Sequence, residues 1–343
     1  MSQLRLNPLN GRWVTVATER ATRPADFAPR RLPVETGPSR PCPFCPGNEE
    51  ATPPALETYG RDGSWRVRVV PNLYPAFSGA GEMEVIRIGP VFVQAPANGI
   101  HEVLVLTPKH DVGWAELDDR DAGLVMAAVR DRLEDHGRDS NVRYTQTIVN
   151  HGREAGASLE HPHGQLLGIP FVPDELHAEL DGFRRFAAAD GNRLGADLEP
   201  TQTDDCLLCR MVEVEREAGH RLVVDDQRVT VVCPFWAGSP YEMLVVPTDH
   251  EGQLARAMPR DLVAVGRALR DALARLQALV GDVAYNVVFH TAPHHEDALF
   301  HWHVHVVPRL SSVAGFEQGT GVLINIVAPE DAAAQLRSTT HLP

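Results

Sequence analysis

The feature that most constrains this chain is that much of it is written twice. HEVLVLTPKH at 101–110 resembles YEMLVVPTDH at 241–250, an offset of 140 residues. The same offset carries His161 onto His301 and His163 onto His303, so that His110 to His161 and His250 to His301 both span 51 residues. Each block follows a Cys-x-x-Cys pair, Cys42/Cys45 in one half and Cys206/Cys209 in the other. A match at one fixed offset across 101–165 and 241–305 makes the chain a duplication, and its fold must house two copies of one unit.

The stretches between these anchors read alike. VLVLTP and MLVVP are short β-rich runs closed by proline, and each predicts a strand. Residues 116–136 and 259–280 space their apolar side chains as helices do, with Asp118 or Asp119 and the start Pro259-Arg260-Asp261 as N-terminal signals. Strands follow over 142–149 and 283–289, and then the histidine motifs. Each half thus reads strand, strand, helix, strand, strand, an α+β pattern with a helix laid across an antiparallel sheet. The polar stretch 183–205 is expected to connect the halves, which divides the chain into 1–182 and 183–343. Residues 24–60, rich in proline and glycine, predict an irregular surface segment.

A chain of 343 residues suffices for two ordinary domains or one domain built twice. No run of about 18 apolar residues is present, so no membrane span is expected. The opening MSQLRLNPLNGRW lacks the apolar core of a signal peptide, which predicts a cytoplasmic protein. The net charge of −14 argues against a nucleic-acid partner, since a phosphate backbone calls for clustered Lys and Arg; a small anionic ligand needs only a few local donors. Four of the five cysteines fall in the two pairs, which in a reducing compartment favours metal ligation or redox chemistry over disulfides. Cys233, in VTVVCPFW, reads as a small buried hydrophobe.

A tetrahedral zinc site takes four thiolate or imidazole ligands. The first half offers Cys42, Cys45, His110 and His161; the second offers Cys206, Cys209, His250 and His301. The bland alternative is that these cysteines are reduced core residues and the histidines serve other ends. Two copies with matched histidines favour two Zn2+ sites, structural ones, because four protein ligands leave no position for water.

HPHGQ at 161–165 and HWHVH at 301–305 place alternate residues on one face if extended, so that His161, His163 and Gln165 point together. The outer histidine can take a metal while His163 faces a cleft. A neutral imidazole is a competent nucleophile toward phosphorus, oriented by its second ring nitrogen donating to a carbonyl. Gln165 can donate an amide N–H to a phosphoryl oxygen as charge builds there. The alternative, three metal-ligating histidines, suits His303 and His305 better than His163, because glutamine is a poor zinc ligand.

With these motifs in view the chain resembles the galactose-1-phosphate uridylyltransferase family of the histidine-triad superfamily, whose members contain two fused repeats. The matching stretches are NPLNGRWVTVATERATRP, CPFCPGNE, VVPNLYPAF, NHGREAGASLEHPHGQ, HWHVHVVPRL and GFEQGTG, spanning residues 7–321. The resemblance implies a homodimer of carbohydrate (galactose) metabolism and a ping-pong reaction. His163 would take a nucleoside monophosphate from a nucleotide sugar and pass it to a sugar 1-phosphate or phosphate. It further implies that Arg20 and Arg23 contact phosphates, that Asn72 holds the nucleoside, and that Asn150, Ser158 and Gln165 line the phosphoryl site. Phe316 and Glu317 would approach the sugar.

Two departures accompany the resemblance. Better-known bacterial members use a lysine just before the Gly-aromatic-Glu segment, whereas this chain reads Leu310-Ser311-Ser312-Val313-Ala314. Those enzymes can also hold a metal with a glutamate and three histidines, which map to Glu179, His290, His303 and His305; the second metal site is therefore either this set or the Cys206 set. The paired Cys-x-x-Cys and the GFE-GTG ending are similar to the ADP-glucose phosphorylase branch, where phosphate is the acceptor. The expected activity is transfer of a nucleoside monophosphate between a nucleotide sugar and a hexose 1-phosphate, with phosphorolysis as the alternative. A non-catalytic nucleotide-binding zinc protein is the reading from a different class.

Overall fold

The aliphatic, β-branched runs of the two copies form ten strands. In the first half these are β1 (Glu57–Arg61), β2 (Ser64–Pro71), β3 (Ile100–Val105), β4 (Tyr144–His151) and β5 (His163–Ile169). The second half contributes β6 (Leu222–Asp225), β7 (Val229–Val232), β8 (Met243–Pro247), β9 (Tyr285–His290) and β10 (His303–Pro308). The computed structural model describes residues 2–22, 41–61, 63–189, 206–296 and 299–339.

All ten strands belong to one sheet, in the order β6-β7-β8-β10-β9-β4-β5-β3-β2-β1, and every neighbouring pair is antiparallel. Read outward from the centre, the two halves have the same strand order. They meet edge to edge at β4 and β9, where Ile148 pairs with Val288 and Val149 with Val287. Residues 148 and 288 are related by the repeat offset, so a pseudo-twofold axis passes through that pair. Joining the halves this way removes an exposed inner edge from each.

The predicted helices are α1 (Asp119–His136) and, later in the chain, the helix over Pro259–Val280. Asp118 is the N-cap of α1, its carboxylate accepting from the Asp121 amide. Between these two lie α2 (Asp174–Ala189) and α3 (Leu207–Ala218), which makes Pro259–Val280 α4. Helices α1 and α4 cross on one face of the sheet, with Val125, Met126, Val129, Val265 and Leu269 buried there among sheet residues such as Leu104, Leu166, Val245 and Val287. The opposite face is covered by α2, α3 and Leu9.

The crossing of α1 and α4 depends on small residues. A Cβ on Gly266 would sit 2.6 Å from the Ala122 carbonyl oxygen. Helix propensity alone would favour alanine there by roughly 1 kcal/mol. The backbone clash is larger, so Gly266→Ala is expected to lower stability by about 1–3 kcal/mol, read from urea unfolding against the unaltered protein.

Two expectations need correction. The stretch from residue 183 is not a connector at its start: Leu176, Leu180 and Phe183 form an apolar stripe on α2 and are buried, and residues 190–205 lie outside the described residues. The position 182/183 at which the halves were divided lies within α2, and the two halves share one sheet. Of the segment 24–60, the described part from 41 onward is turns and one short 3-10 helix (Glu49–Ala51) up to about residue 56 and then strand β1, which the prolines before it disguised. Among the described residues, no helix is long and apolar enough to cross a membrane. A separate hairpin, Ile86–Ile88 with Phe92–Gln94, carries exposed Ile86, Ile88, Phe92 and Val93.

Candidate active site

Strand β5 begins at His163, so His161 lies in the turn before it rather than on the strand face expected from simple alternation. This separation gives the two imidazoles different surroundings. His161 is fully buried, its Nε2–H donating to the Thr107 carbonyl at 2.8 Å, which leaves Nδ1 bare and 3.6 Å from the Cys45 sulfur. His163 places Nδ1 2.8 Å from the His161 carbonyl. A carbonyl only accepts, so Nδ1 carries the proton and Nε2 presents a lone pair. Burial pushes the His163 pKa below its ordinary value, against a smaller opposing pull from that carbonyl, and favours the neutral form a nucleophile needs.

Beside His163 is a small cavity of about 10 Å³ whose lining includes Asn150, Gly152, Glu160, His163 and Tyr285. Asn150 is held by a residue that the sequence did not single out. Asn286, buried on β9, donates from Nδ2 to Asn150 Oδ1 at 2.7 Å and to the Ala155 carbonyl at 2.8 Å, while its own oxygen accepts from Arg309 Nε at 2.5 Å. With Asn150 Oδ1 occupied as acceptor, the amide turns its N–H donors the other way, and among the described residues they have no acceptor. Gln165 Oε1 similarly accepts from His101 Nε2 at 2.8 Å, and Asn72 lies against the same imidazole. Neither Asn286 nor His101 carries a local motif; both are found only once strand pairing is known.

Ser158 is exposed on the loop leading into the motif. Arg20, Glu317 and Arg309 line another cavity, of about 460 Å³, with Phe316 exposed nearby; the fold does not bring Arg20, Phe316 or Glu317 to the cavity beside His163. Arg23 lies outside the described residues.

The four residues expected in each Cys/His set converge. Within Cys42, Cys45, His110 and His161, and within Cys206, Cys209, His250 and His301, all ligand atoms lie within 4.8 Å of one another. With bonds of about 2.3 Å to sulfur and 2.0–2.1 Å to nitrogen, a tetrahedral ion would separate a sulfur from a nitrogen by about 3.5 Å. Cys45 lies 3.4 Å from His110 Nδ1, and Cys209 lies 3.4 and 3.6 Å from His301 and His250 Nδ1. All five cysteines are free thiols, so neither pair is closed as a disulfide.

The two second-half alternatives are separate clusters. Glu179, His290, His303 and His305 form a third cluster of the same span. His303 Nδ1–H donates to the His301 carbonyl at 2.8 Å, repeating the His163 arrangement, and its Nε2 lies 3.6 Å from Glu179. Among the described residues, the buried Nε2 atoms of His303 and His305 have no hydrogen-bond partner, as expected of nitrogens reserved for an ion. Burial would raise the Glu179 pKa, but the surrounding His290, His303 and His305 hold it down at about 2, so it stays a carboxylate. By the offset of 140, His290, His303 and His305 stand where the first half has Asn150, His163 and Gln165. One framework thus points its middle histidine at a cleft in one half and at a carboxylate in the other.

The family model of the galactose-1-phosphate uridyl transferase N-terminal domain matches residues 1–173, and that of the HIT domain matches residues 215–312. An ADP-glucose phosphorylase of Arabidopsis thaliana is 30% identical, over 98% of this chain and 93% of its own. The galactose-1-phosphate uridylyltransferase of Thermotoga maritima is 28% identical over 99% of both chains. The crystal structure of an Arabidopsis thaliana ADP-glucose phosphorylase with bound ADP-glucose is similar at a TM-score of 0.81 and 28% identity, covering 99% of this chain and 100% of that one. A uridylyltransferase structure is similar at a TM-score of 0.74 and 27% identity, covering 98% of each.

Proposed function

This chain belongs to the galactose-1-phosphate uridyl transferase family, and from that premise we propose that it moves a nucleoside monophosphate between a nucleotide sugar and a hexose 1-phosphate through a covalent nucleotidyl-His163. It is a nucleotidyltransferase built from two fused histidine-triad-like repeats. The single observation that carries the covalent step is the His163 Nδ1–H donated to the His161 carbonyl, which leaves Nε2 unprotonated beside a cleft. Nε2 attacks the α-phosphorus, a P–N bond forms, and the P–O bond to the sugar 1-phosphate breaks. The leaving group departs as a phosphate and the second acceptor attacks as a phosphate, so neither half-reaction needs a general acid. Positive charge on the nucleotidyl-imidazole is stabilised by the same His161 carbonyl. The amides of Gln165 and Asn150 donate to the phosphoryl oxygens, with Ser158 at the rim and Asn72 toward the nucleoside.

The two Cys/His sets would hold zinc as structural ions, since thiolate–imidazole donors at tetrahedral separations suit it. Free cysteines fit a reducing compartment such as the cytoplasm. A homodimer is supported by the exposed apolar hairpin at 86–94, because a lone two-stranded hairpin is marginal in water. It is also supported by the separation of Arg20, Phe316 and Glu317 from His163, which a second copy could bridge. A second reading, phosphorolysis of an ADP-glucose-type donor, is favoured by the absence of lysine from Leu310–Ala314.

Incubation with UDP-glucose and, separately, ADP-glucose followed by intact mass tests both readings. An acid-labile gain of one nucleoside monophosphate is expected with the preferred donor, and the faster adduct names the base. No adduct with either sugar would overturn the covalent mechanism.

A further inference from the structure

We infer that His101 is a positioning residue for the transfer, fixing the Gln165 amide with its N–H donors toward the phosphoryl centre. The inference rests on the role proposed above for Gln165. His101 pairs with Leu167 and Val103 with Gln165 across β3 and β5, so that His101 and Gln165 are diagonal neighbours on one face.

The hydrogen-bond sense around the imidazole is forced by the backbone. The Ala76 amide N–H donates to His101 Nδ1 at 3.0 Å. A backbone amide cannot accept, so Nδ1 is bare and a neutral imidazole carries its hydrogen on Nε2. That hydrogen goes to Gln165 Oε1, 2.8 Å away. The Asn72 side chain is held by its own loop rather than by the imidazole. Its Oδ1 accepts from the Tyr74 amide at 2.8 Å, and its Nδ2, 3.1 Å from the same protonated Nε2, has nothing to donate to there. The backbone closes the unit, the Asn72 N–H donating to the His101 carbonyl at 2.8 Å.

The consequence is chemical. A primary amide turned by 180° has nearly the same shape but would present oxygen, not N–H, to an anionic phosphoryl group. The Gln165 side chain alone has little to choose between the two. His101 decides it, and the tautomer of His101 is in turn decided by the 72–76 loop that carries Asn72. The nucleoside end of the site therefore sets the donor sense at its phosphoryl end.

The test compares single-turnover adduct formation in His101→Gln, His101→Glu and His101→Leu with that of the unaltered protein, using UDP-glucose and, separately, ADP-glucose as donor. Glutamine can return a donor near the position of Nε2, whereas glutamate of the same shape only accepts. His101→Leu is expected to slow adduct formation about 10- to 100-fold with half-saturation changed less than about 3-fold, because a donor realised in the transition state is lost. His101→Gln should recover most of the rate, and His101→Glu should be at least as slow as His101→Leu. In a Gln165→Ala background, His101→Leu should add no further loss, since both act through one group. Equal rates for the Gln and Glu variants, or an additive loss in the Gln165→Ala background, would overturn the inference. Should His101→Leu fail to fold, the isosteric Gln and Glu pair decides alone. Failure of the functional reading itself would differ, because the unaltered protein would then form no adduct.

Discussion

His163→Asn is expected to form no nucleotidyl adduct and to lose turnover by about 10⁴-fold or more, because the group removed is the nucleophile rather than an assistant to it. Asparagine is the informative replacement. Its amide can reach the His161 carbonyl much as Nδ1 does, at 2.8 Å in the unaltered protein, while nothing replaces Nε2. His163 is buried on the first residue of β5, and the smaller side chain leaves the β3 and β4 pairings of that strand untouched. Stability should therefore fall by no more than a modest large-to-small change, on the order of 1–3 kcal/mol. Intact mass after incubation with nucleotide sugar, alongside steady-state rates, checks this. An adduct of undiminished yield in His163→Asn would move the nucleophile elsewhere.

Cys45→Ser is expected to cost both a metal equivalent and the chemistry, and the reason lies in the double duty of His161. Its Nδ1 faces Cys45, whereas its carbonyl holds His163. Phe44, between the two cysteines, packs against the His163 ring with centroids 5.3 Å apart. Loss of the ion would free the Cys42–Cys45 turn, the carbonyl and the aromatic wall together. Apparent binding energies for a structural four-ligand zinc are about 10–16 kcal/mol, so even partial loss is large against ordinary stability. A drop in zinc content by one equivalent and at least about 10-fold slower adduct formation are expected, since misplacing a nucleophile by about 1 Å is already costly. Cys209→Ser should also lose one equivalent and melt lower. Adduct formation in that variant should stay within about 3-fold, since that set holds His301 and His250 rather than the residues at the cleft. Unchanged zinc in Cys45→Ser would remove the first site; equal rate losses in the two variants would break the proposed link between that site and His163.

Much of the site could be read without coordinates because the chain supplies its own comparison. Cys42, Cys45, His110 and His161 were identifiable as a set once Cys206, Cys209, His250 and His301 repeated them at one offset, and the fold brings both sets together. Gln165 against His305 marked the half to which we assign the transfer chemistry. Helices α1 and α4 were legible from their apolar spacing, since that period is local. Phe183 was missed because the polar residues after it dominate the reading, although it completes the stripe Leu176, Leu180, Phe183.

What the sequence alone determined was therefore the duplication, the α+β unit and the membership of the two Cys/His clusters. The tertiary structure decided that the halves join at β4 and β9 into one sheet, and that Glu179, His290, His303 and His305 form a cluster of their own beside the Cys206 set. It also decided that His101 and Asn286 occupy the oxygens of Gln165 and Asn150. The physical reason is that periodicity and motif spacing report only what neighbours along the chain share. Which strand edges meet, and in what register, is settled by burying both faces of a sheet at once. A hydrogen bond such as Asn286 to Asn150, across 136 residues, exists only after that choice is made.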